Sequence, residues 1–449
     1  MHLANPRTSA SLAHLCLSAA LGLFLAAHLA AAQASLPAHS SSADTPAPHP
    51  ADAHQYAEWR AQIRHALFIP DTLPALAPHT YSTFSPTPGI TAERLTYATL
   101  YNMRVPAILY RPTKLSGRVP AIVVVNGHSG DKTAWYAYYA GILYARAGAI
   151  VLTYDPIGED ERNINRASET RAHDTFIPGP EMPPRMGGQM ITDVMQAVSY
   201  VAQRPDVDPS RIAVVAYSMG TFHSAIAGAL DPRIHALVLS GGGNLSGAGD
   251  YWDISPKVMC QSGPYKALSF LGERGPVLYA LNAQRGPTFI INGTADPLIV
   301  SSHSFQPFFD DVRTRTAAIT GSPTNLFETH WIEGAGHRPN FVTRPAALWL
   351  ENQLHFPNWT AASINAMPEV HISEWAAKTG AHIGQAFATE LSEGGVRALD
   401  ANVPAIPRDD MQAVPIAEWQ QHKNDFVYES WVERAQAASQ PVAAQLNPR

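Results

Sequence analysis

The sequence predicts an α/β fold: a mostly parallel, doubly wound sheet with helices on both faces and inserted cap segments. Three observations carry this expectation. Apolar runs such as Pro120-Ala-Ile-Val-Val-Val125, Ala149-Ile-Val-Leu-Thr153 and Ala236-Leu-Val-Leu-Ser240 have the length and β-branched content of strands buried on both faces. Helical stretches alternate with these runs and no internal repeat is present, which argues for parallel crossovers. The polar residues suited to chemistry stand where the runs end, and ligands of such sheets bind at the carboxyl ends of the strands.

At 449 residues, one α/β domain with insertions can absorb most of the chain, and an apolar share of 46% permits a sizeable core. Lys and Arg number 31 against 37 Asp and Glu, with no basic cluster. That balance argues against nucleic acid or an anionic membrane as a main partner. Arg7 precedes an apolar stretch, Leu15 to Ala32, that ends in Ala32-Gln33-Ala34. This reads as a signal peptide over residues 1–34, cleaved before Ser35, and predicts a secreted or periplasmic protein. An uncleaved anchor is the alternative, but His28 interrupts the run, which is short for a span. Cleavage would remove Cys16 and leave Cys260, so no internal disulfide is expected.

Residues 35–54, rich in Ala, Ser, Pro and His, read as a disordered linker. Tyr56, Trp59, Ile63 and Leu67 fall at helical spacing, in a helix stopped by Pro70. A Pro/Thr/Ser segment follows to about Pro88, then two β-like runs, Arg94 to Thr99 and Arg104 to Tyr110, read as an antiparallel pair. Next come the strand 120–125, a helix over 133–147 and the strand 149–153. The irregular stretch 156–189 is too long for a plain connection and reads as a first insertion, of the kind that builds substrate pockets. A helix is expected from Met190 to Gln203. A second insertion spans 241–285, and the α/β domain as a whole spans 55–357. Pro287-Thr-Phe-Ile-Ile291 is a further strand, Ser301 to Arg315 a candidate helix, Leu326 to Glu333 the last strand and Val342 to Leu354 the closing helix. Residues 358–449 form an extension with four tryptophans, read as a helical appendage packed on the sheet domain or as a substrate-binding or dimer surface. Its tail, from Gln436, is expected to be disordered.

The most informative stretch is Ile212-Ala-Val-Val-Ala216-Tyr217-Ser218-Met219-Gly220, followed by an Ala-rich helical run. Strand, small-x-Ser-x-Gly and helix together describe a turn so tight that only small residues fit beside the serine. Such a turn lifts the Ser218 hydroxyl above the strand ends and aims the first N–H groups of the helix at the same point. A serine nucleophile needs a base and a carboxylate to orient it. Asp296 follows a buried strand and His337 follows the last strand, in the order Ser, acid, His. Asp231, Asp250 and Asp253 are rivals for the acid, and His223 on the following helix reads as a packed core histidine. The oxyanion donors expected are the N–H groups of Met219 and of His128, which follows Asn126-Gly127. Asn126, Gly127, Tyr217 and Trp252 are candidate substrate-binding residues.

Val-Val-Asn126-Gly127-His128, Asp155-Pro-Ile-Gly158-Glu-Asp-Glu161-Arg162, Ala-Tyr-Ser218-Met-Gly220, Asp296 and His337 together resemble the α/β-hydrolase superfamily. More narrowly they are similar to bacterial acetyl-xylan-esterase-like and dienelactone-hydrolase-like serine esterases, over about Tyr56 to Pro357. The resemblance implies an α/β-hydrolase fold with an inserted cap, and carboxylic esters, including acetylated or acylated carbohydrate, as the substrate class. Two positions depart from it: acetyl xylan esterases carry Gln after the nucleophile and Glu after the histidine, where this chain has Met219 and Arg338. Glu161-Arg162 reads as a structural ion pair or a substrate-binding pair, and Arg171, His173 and Arg185 as loop or pocket residues. The 19 histidines show no H-E-x-x-H and no Cys/His cluster at ligand spacing along the chain, so no metal site is expected. No Gly-rich phosphate or dinucleotide loop occurs, so no cofactor is expected either. A peptidase on the same fold and a non-catalytic binding protein on this scaffold are the alternative readings. The sequence leaves the oligomeric state open.

Overall fold

Nine strands build one sheet: β1 (His79–Thr87), β2 (Ile90–Ala98), β3 (Arg104–Pro112), β4 (Val119–Val125), β5 (Ile150–Tyr154), β6 (Val207–Tyr217), β7 (Ala236–Ser240), β8 (Thr288–Gly293) and β9 (Phe327–Ile332). The computed structural model that contains them describes residues 50–245, 251–384 and 395–439. The expected signal peptide, residues 35–49 of the linker, Asp250 and residues 440–449 lie outside the described residues.

The spatial order is β1-β2-β3-β5-β4-β6-β7-β8-β9. β1, β2, β3 and β5 pair antiparallel in turn, and every pairing from β5 through β4 to β9 is parallel. All residues of β4, β5 and β7 are buried, as continuous apolar runs covered on both faces must be. The chain leaves β4 for β5 on one side and then crosses to β6 on the other. That reversal opens a crevice beyond the carboxyl ends of β4 and β6.

Helices cover both faces. On one lie α1 (Ala53–Ala66), α3 (Met182–Ala202), α4 (Met219–Leu230), α5 (Arg274–Ala283) and α6 (Gln306–Thr320), which contribute Ile63, Val194, Phe222, Leu278 and Phe309 to a shared core. On the other lie α2 (Trp135–Arg146) and α7 (Arg344–Leu354), packed with Tyr139, Ala346 and Leu350. Among the described residues no helix is long and apolar enough to cross a membrane.

Several boundaries differ from expectation, each for a local reason. The segment before Pro88 is a strand: β1 is the outermost of the sheet, and its register breaks between Phe84 and Thr87, which accommodates Pro86. α1 starts at Ala53, inside the expected linker, because the Asp52 side chain caps it by accepting from the Gln55 N–H at 2.9 Å. α3 starts at Met182 rather than Met190. Its prolines fall in the first turn, where no N–H is needed. α6 starts at Gln306, not Ser301, since a short helix, Pro297–Ser301, intervenes.

Beyond α7 the chain continues as the helices Ala361–Ala366, Ile372–Thr379, Ile416–His422 and Tyr428–Ala438 and a separate antiparallel pair, β10 (Glu369–His371) with β11 (Arg397–Leu399). Trp359, Trp375 and Leu399 join the core beside α2. Trp419 Nε1 donates to the Glu161 carbonyl, and Trp431 packs among Met103, Met186 and Met259. Gln436 to Ala438, expected in a disordered tail, complete the last helix.

Candidate active site

The turn from β6 to α4 is held from all sides. Ser218 takes φ 52° and ψ −120°, sparsely populated for an L-residue, and its N–H donates to the Ser240 carbonyl of β7 at 2.9 Å. A Cβ on Gly220 would stand 2.6 Å from the Asn126 carbonyl oxygen and 2.8 Å from that of Val125. A Cβ on Gly127 would stand 2.9 Å from Ser218 Cβ. Both glycines are therefore fixed by the closeness with which the β4 loop passes the serine. Ala216, one methyl larger than glycine, is fully buried and fits.

His337 bridges the serine and the acid. Its Nε2 lies 2.7 Å from Ser218 Oγ and its Nδ1 2.8 Å from Asp296 Oδ2. Asp296 has no solvent exposure, and its second oxygen accepts from the Leu298 N–H at 2.8 Å, so the carboxylate has one orientation. Since that carboxylate accepts, His337 Nδ1 carries the proton and Nε2 presents a lone pair to the hydroxyl. Tyr217 Oη donates to the His337 carbonyl at 3.0 Å, with its ring 5.0 Å from the imidazole. The rivals are otherwise engaged: Asp231 pairs with Arg233 and Asp253 with Arg274.

Met219 opens α4, so its N–H is among those with no acceptor inside the helix, and it points toward the serine end. Two expected substrate-binding residues do other work. Trp252 is buried against Phe222 and donates to the Asn244 carbonyl at 3.0 Å, so it is core. Asn126 is buried with its amide donating to the Tyr154 carbonyl at 3.0 Å, which ties the β4 loop to β5. His223 is buried, as a core histidine should be, and its Nε2 lies 3.0 Å from the Cys260 carbonyl. Burial pushes its imidazole down to about 3.

The site opens into a cavity of about 950 Å³ lined by His128, Tyr217, His337 and Tyr138. Its far wall is the C-terminal extension, through Gly380, His382, Ile383, Ile406 and Met411. These residues carry no motif, so only the packing reveals them. Within the first insertion, Glu161 and Arg162 do not pair with each other. Glu161 Oε2 lies 2.8 Å from Lys132 Nζ and Arg162 Nη1 2.5 Å from Asp193 Oδ2, all fully or nearly fully buried. Asp155 and Asp160 complete the shell around Lys132 at 2.7 and 2.5 Å. Arg185 pairs with Glu181 and lies over the Phe68 ring, away from the cavity lining.

Residues scattered along the sequence also meet beside the β4 loop: His128, His173, Asp174 and Cys260. Burial pushes the His128 imidazole down and takes that of His173 to about 3. Burial works to raise the Asp174 carboxyl, yet its contacts with His128 and Cys260 outweigh it and hold it well below the usual range.

Comparison with known proteins agrees with this architecture. The acetyl xylan esterase family model matches residues 75–241, and the prolyl oligopeptidase family model matches residues 181–358. The chain is 26% identical over 147 residues to Thiohydrolase apmlB of Arthrinium phaeospermum, covering 33% of this chain and 42% of that one. It is 29% identical over 146 residues to YtaP of Bacillus subtilis (strain 168), covering 30% and 47%. It thus spans less than half the length of these curated relatives. Methylesterase BT1017 aligns with TM-score 0.51 and 19% identity over 78% of this chain and 73% of its own. A glucuronoyl esterase from Solibacter usitatus aligns with TM-score 0.51 and 17% identity over 72% and 98%. At such identities the structural likeness speaks for the fold. The nine-strand order, the Ser218 turn and both family models agree on the α/β-hydrolase fold, with likeness to the acetyl xylan esterase family over residues 75–241.

Proposed function

We propose that this chain is an exported serine hydrolase that cleaves carboxylic esters through an acyl-enzyme on Ser218. The observation that carries this reading is the unbroken chain of hydrogen bonds from Ser218 Oγ through His337 to Asp296, at 2.7 and 2.8 Å. His337 takes the hydroxyl proton as Oγ attacks the ester carbonyl, and returns it to the leaving alcohol. Water then repeats the sequence on the acyl-enzyme. Asp296 keeps the imidazole in the required tautomer and balances its charge. The N–H groups of Met219 and His128 receive the oxyanion. Tyr217, beside the base and lining the cavity, contacts the substrate. A cavity of about 950 Å³ has room for an acylated sugar, and the structural neighbours include a glucuronoyl esterase. The Ala32-Gln33-Ala34 site supports export.

The test is hydrolysis of p-nitrophenyl acetate by the mature chain beside Ser218→Ala, followed by a panel of acylated sugars. The variant is expected to lose kcat by on the order of 10⁶-fold. Undiminished activity in the variant would move the nucleophile elsewhere. One observation favours a second reading, a peptidase: the prolyl oligopeptidase family model matches the segment holding all three residues. Peptide amides and thioesters belong in the same panel, and turnover of peptides above esters would select that reading.

A further inference from the structure

Four side chains from three separate segments converge beside the β4 loop. His128 Nε2 lies 3.3 Å from Cys260 Sγ and 3.3 Å from Asp174 Oδ1. Cys260 Sγ lies 3.0 Å from Asp174 Oδ1, and His173 Nε2 lies 3.8 Å from it. All four donor atoms fall within 4.8 Å of one another. Ligand atoms of a tetrahedral zinc site, with bonds of about 2.0–2.3 Å, stand about 3.2–3.8 Å apart. Four of the six edges, at 3.0–3.8 Å, already fall near that range. We propose that His128, His173, Asp174 and Cys260 form a binding site for one divalent cation of the zinc class.

His173 makes the strongest case. It is fully buried, and its Nδ1 lies 3.2 Å from the Ile157 carbonyl. A carbonyl only accepts, so Nδ1 carries the proton and Nε2 is a lone pair. That lone pair is buried without a hydrogen-bond partner and faces Asp174 and the cluster. An imidazole oriented by a carbonyl behind it, with its other nitrogen bare, is the usual arrangement of a metal-bound histidine. Asp174 is oriented in the same way: Lys257 Nζ holds Oδ2 at 2.9 Å and leaves Oδ1 turned inward. The donor set, two imidazoles, a carboxylate and a thiolate, suits zinc in type and in number. Its charge also closes, since thiolate and carboxylate together neutralise a divalent ion.

Use of Cys260 as a nucleophile is disfavoured. The side chain has no exposure, and burial pushes its thiol well above the usual range. On metal binding the Cys260 S–H bond breaks, the S–M bond forms, and one proton leaves to solvent for each ion bound. The Sγ–Oδ1 edge, short because the thiol hydrogen bond spans it, then opens toward the tetrahedral distance. The ion would tie the β4 loop to both insertions. Any benefit to an oxyanion contact at His128 rests on the function proposed above, whereas the metal site itself does not.

The experiment uses the mature full chain, stripped with chelator and reloaded with Zn²⁺ or Co²⁺. It is run as wild type, Ser218→Ala, Cys260→Ser and His173→Gln, with folding followed by circular dichroism. The expected result is one ion retained per chain, one proton released per ion, and a thiolate-to-cobalt charge-transfer band with intense tetrahedral visible bands. Ser218→Ala should keep all of these, which separates this site from the esterase reading. Cys260→Ser should lose the charge-transfer band, and His173→Gln the tetrahedral spectrum. A wild-type chain that retains no ion, or a cobalt form without the thiolate band, overturns the proposal even if a variant fails to fold. Binding unchanged in both ligand variants overturns it as well.

Discussion

Ser218 keeps its strained backbone because its neighbours leave no alternative, and the closest of these are backbone atoms. An alanine at 220 would bring Cβ to 2.6 Å from the Asn126 carbonyl oxygen, part of a loop fixed by the Asn126–Tyr154 hydrogen bond. Gly220→Ala is therefore expected to lower stability by about 1–3 kcal/mol by overpacking and to lower kcat through displacement of the Ser218 hydroxyl. Thermal unfolding and ester kinetics on the same variant check this, and an unchanged kcat would refute the tight-turn argument. Asp296→Asn tests the other end of the relay. The amide can still accept from Leu298, so the fold should hold, but facing an N–H₂ donor the imidazole adopts the wrong tautomer. A kcat loss of about 10⁴-fold with a nearly unchanged melting temperature is expected. An equally large fall in stability would mean that Asp296 is a structural cap, as its place before Pro297 also allows.

The first insertion is held at the level of the element by charge that solvent does not reach. Lys132, fully buried, faces Asp155, Asp160 and Glu161 at 2.7, 2.5 and 2.8 Å. Lys132→Met would take from Asp155 the cation that faces it and weaken the pairing of Asp160 and Glu161, and should cost about 3–5 kcal/mol, read as a shift of the urea midpoint. Glu159 gives the same insertion a pH dependence. Burial pushes its carboxyl up to about 7 from 4.5, although the Arg171 and Thr170 N–H groups work against this. Between those values the folded chain holds a proton that the unfolded chain gives up, so this term weakens folding as pH rises and is complete above about 7. Wild type should lose stability relative to Glu159→Gln from pH 5 to pH 8, by about 1–3 kcal/mol. A constant difference across that range would refute the assignment.

The sequence made the parallel strands legible because each is buried on both faces and reads as one apolar run. α3 was half hidden: Pro183, Pro184, Gly187 and Gly188 look like helix breakers. The prolines in fact occupy the first turn, and the glycines make room for Pro264 and the Leu67 carbonyl. Ser218, Asp296 and His337 stood out because the chemistry proposed for them imposes an order along the chain. His128, His173, Asp174 and Cys260 have no such order and meet only once two insertions have folded.

At the scale of the whole molecule, the C-terminal extension is both core and cavity wall. Trp375 has no exposure, packs 5.1 Å from the Tyr139 ring of α2 and donates to the Val403 carbonyl at 2.7 Å. Arg408 reaches back to Asp160, and Glu161 accepts from the Ala413 and Val414 N–H groups at 2.7 and 2.8 Å, so the buried ion cluster is shared with the extension. A detachable binding module would pack on the sheet domain through its own complete core; here the shared core and shared charges leave neither part whole alone. Trp375→Ala should therefore cost about 3–5 kcal/mol, in a single transition that also releases the cavity wall. A chain truncated after Pro357 should fail to reach a soluble folded state, because its α2 face and the Asp160–Glu161 cluster would be bare. The two are checked together by urea unfolding, followed by far-ultraviolet dichroism and tryptophan fluorescence. Coincident transitions in the full chain are expected. A truncated chain that unfolds cooperatively at the wild-type midpoint would make the extension an accessory, and the cavity would then have to be read without its far wall.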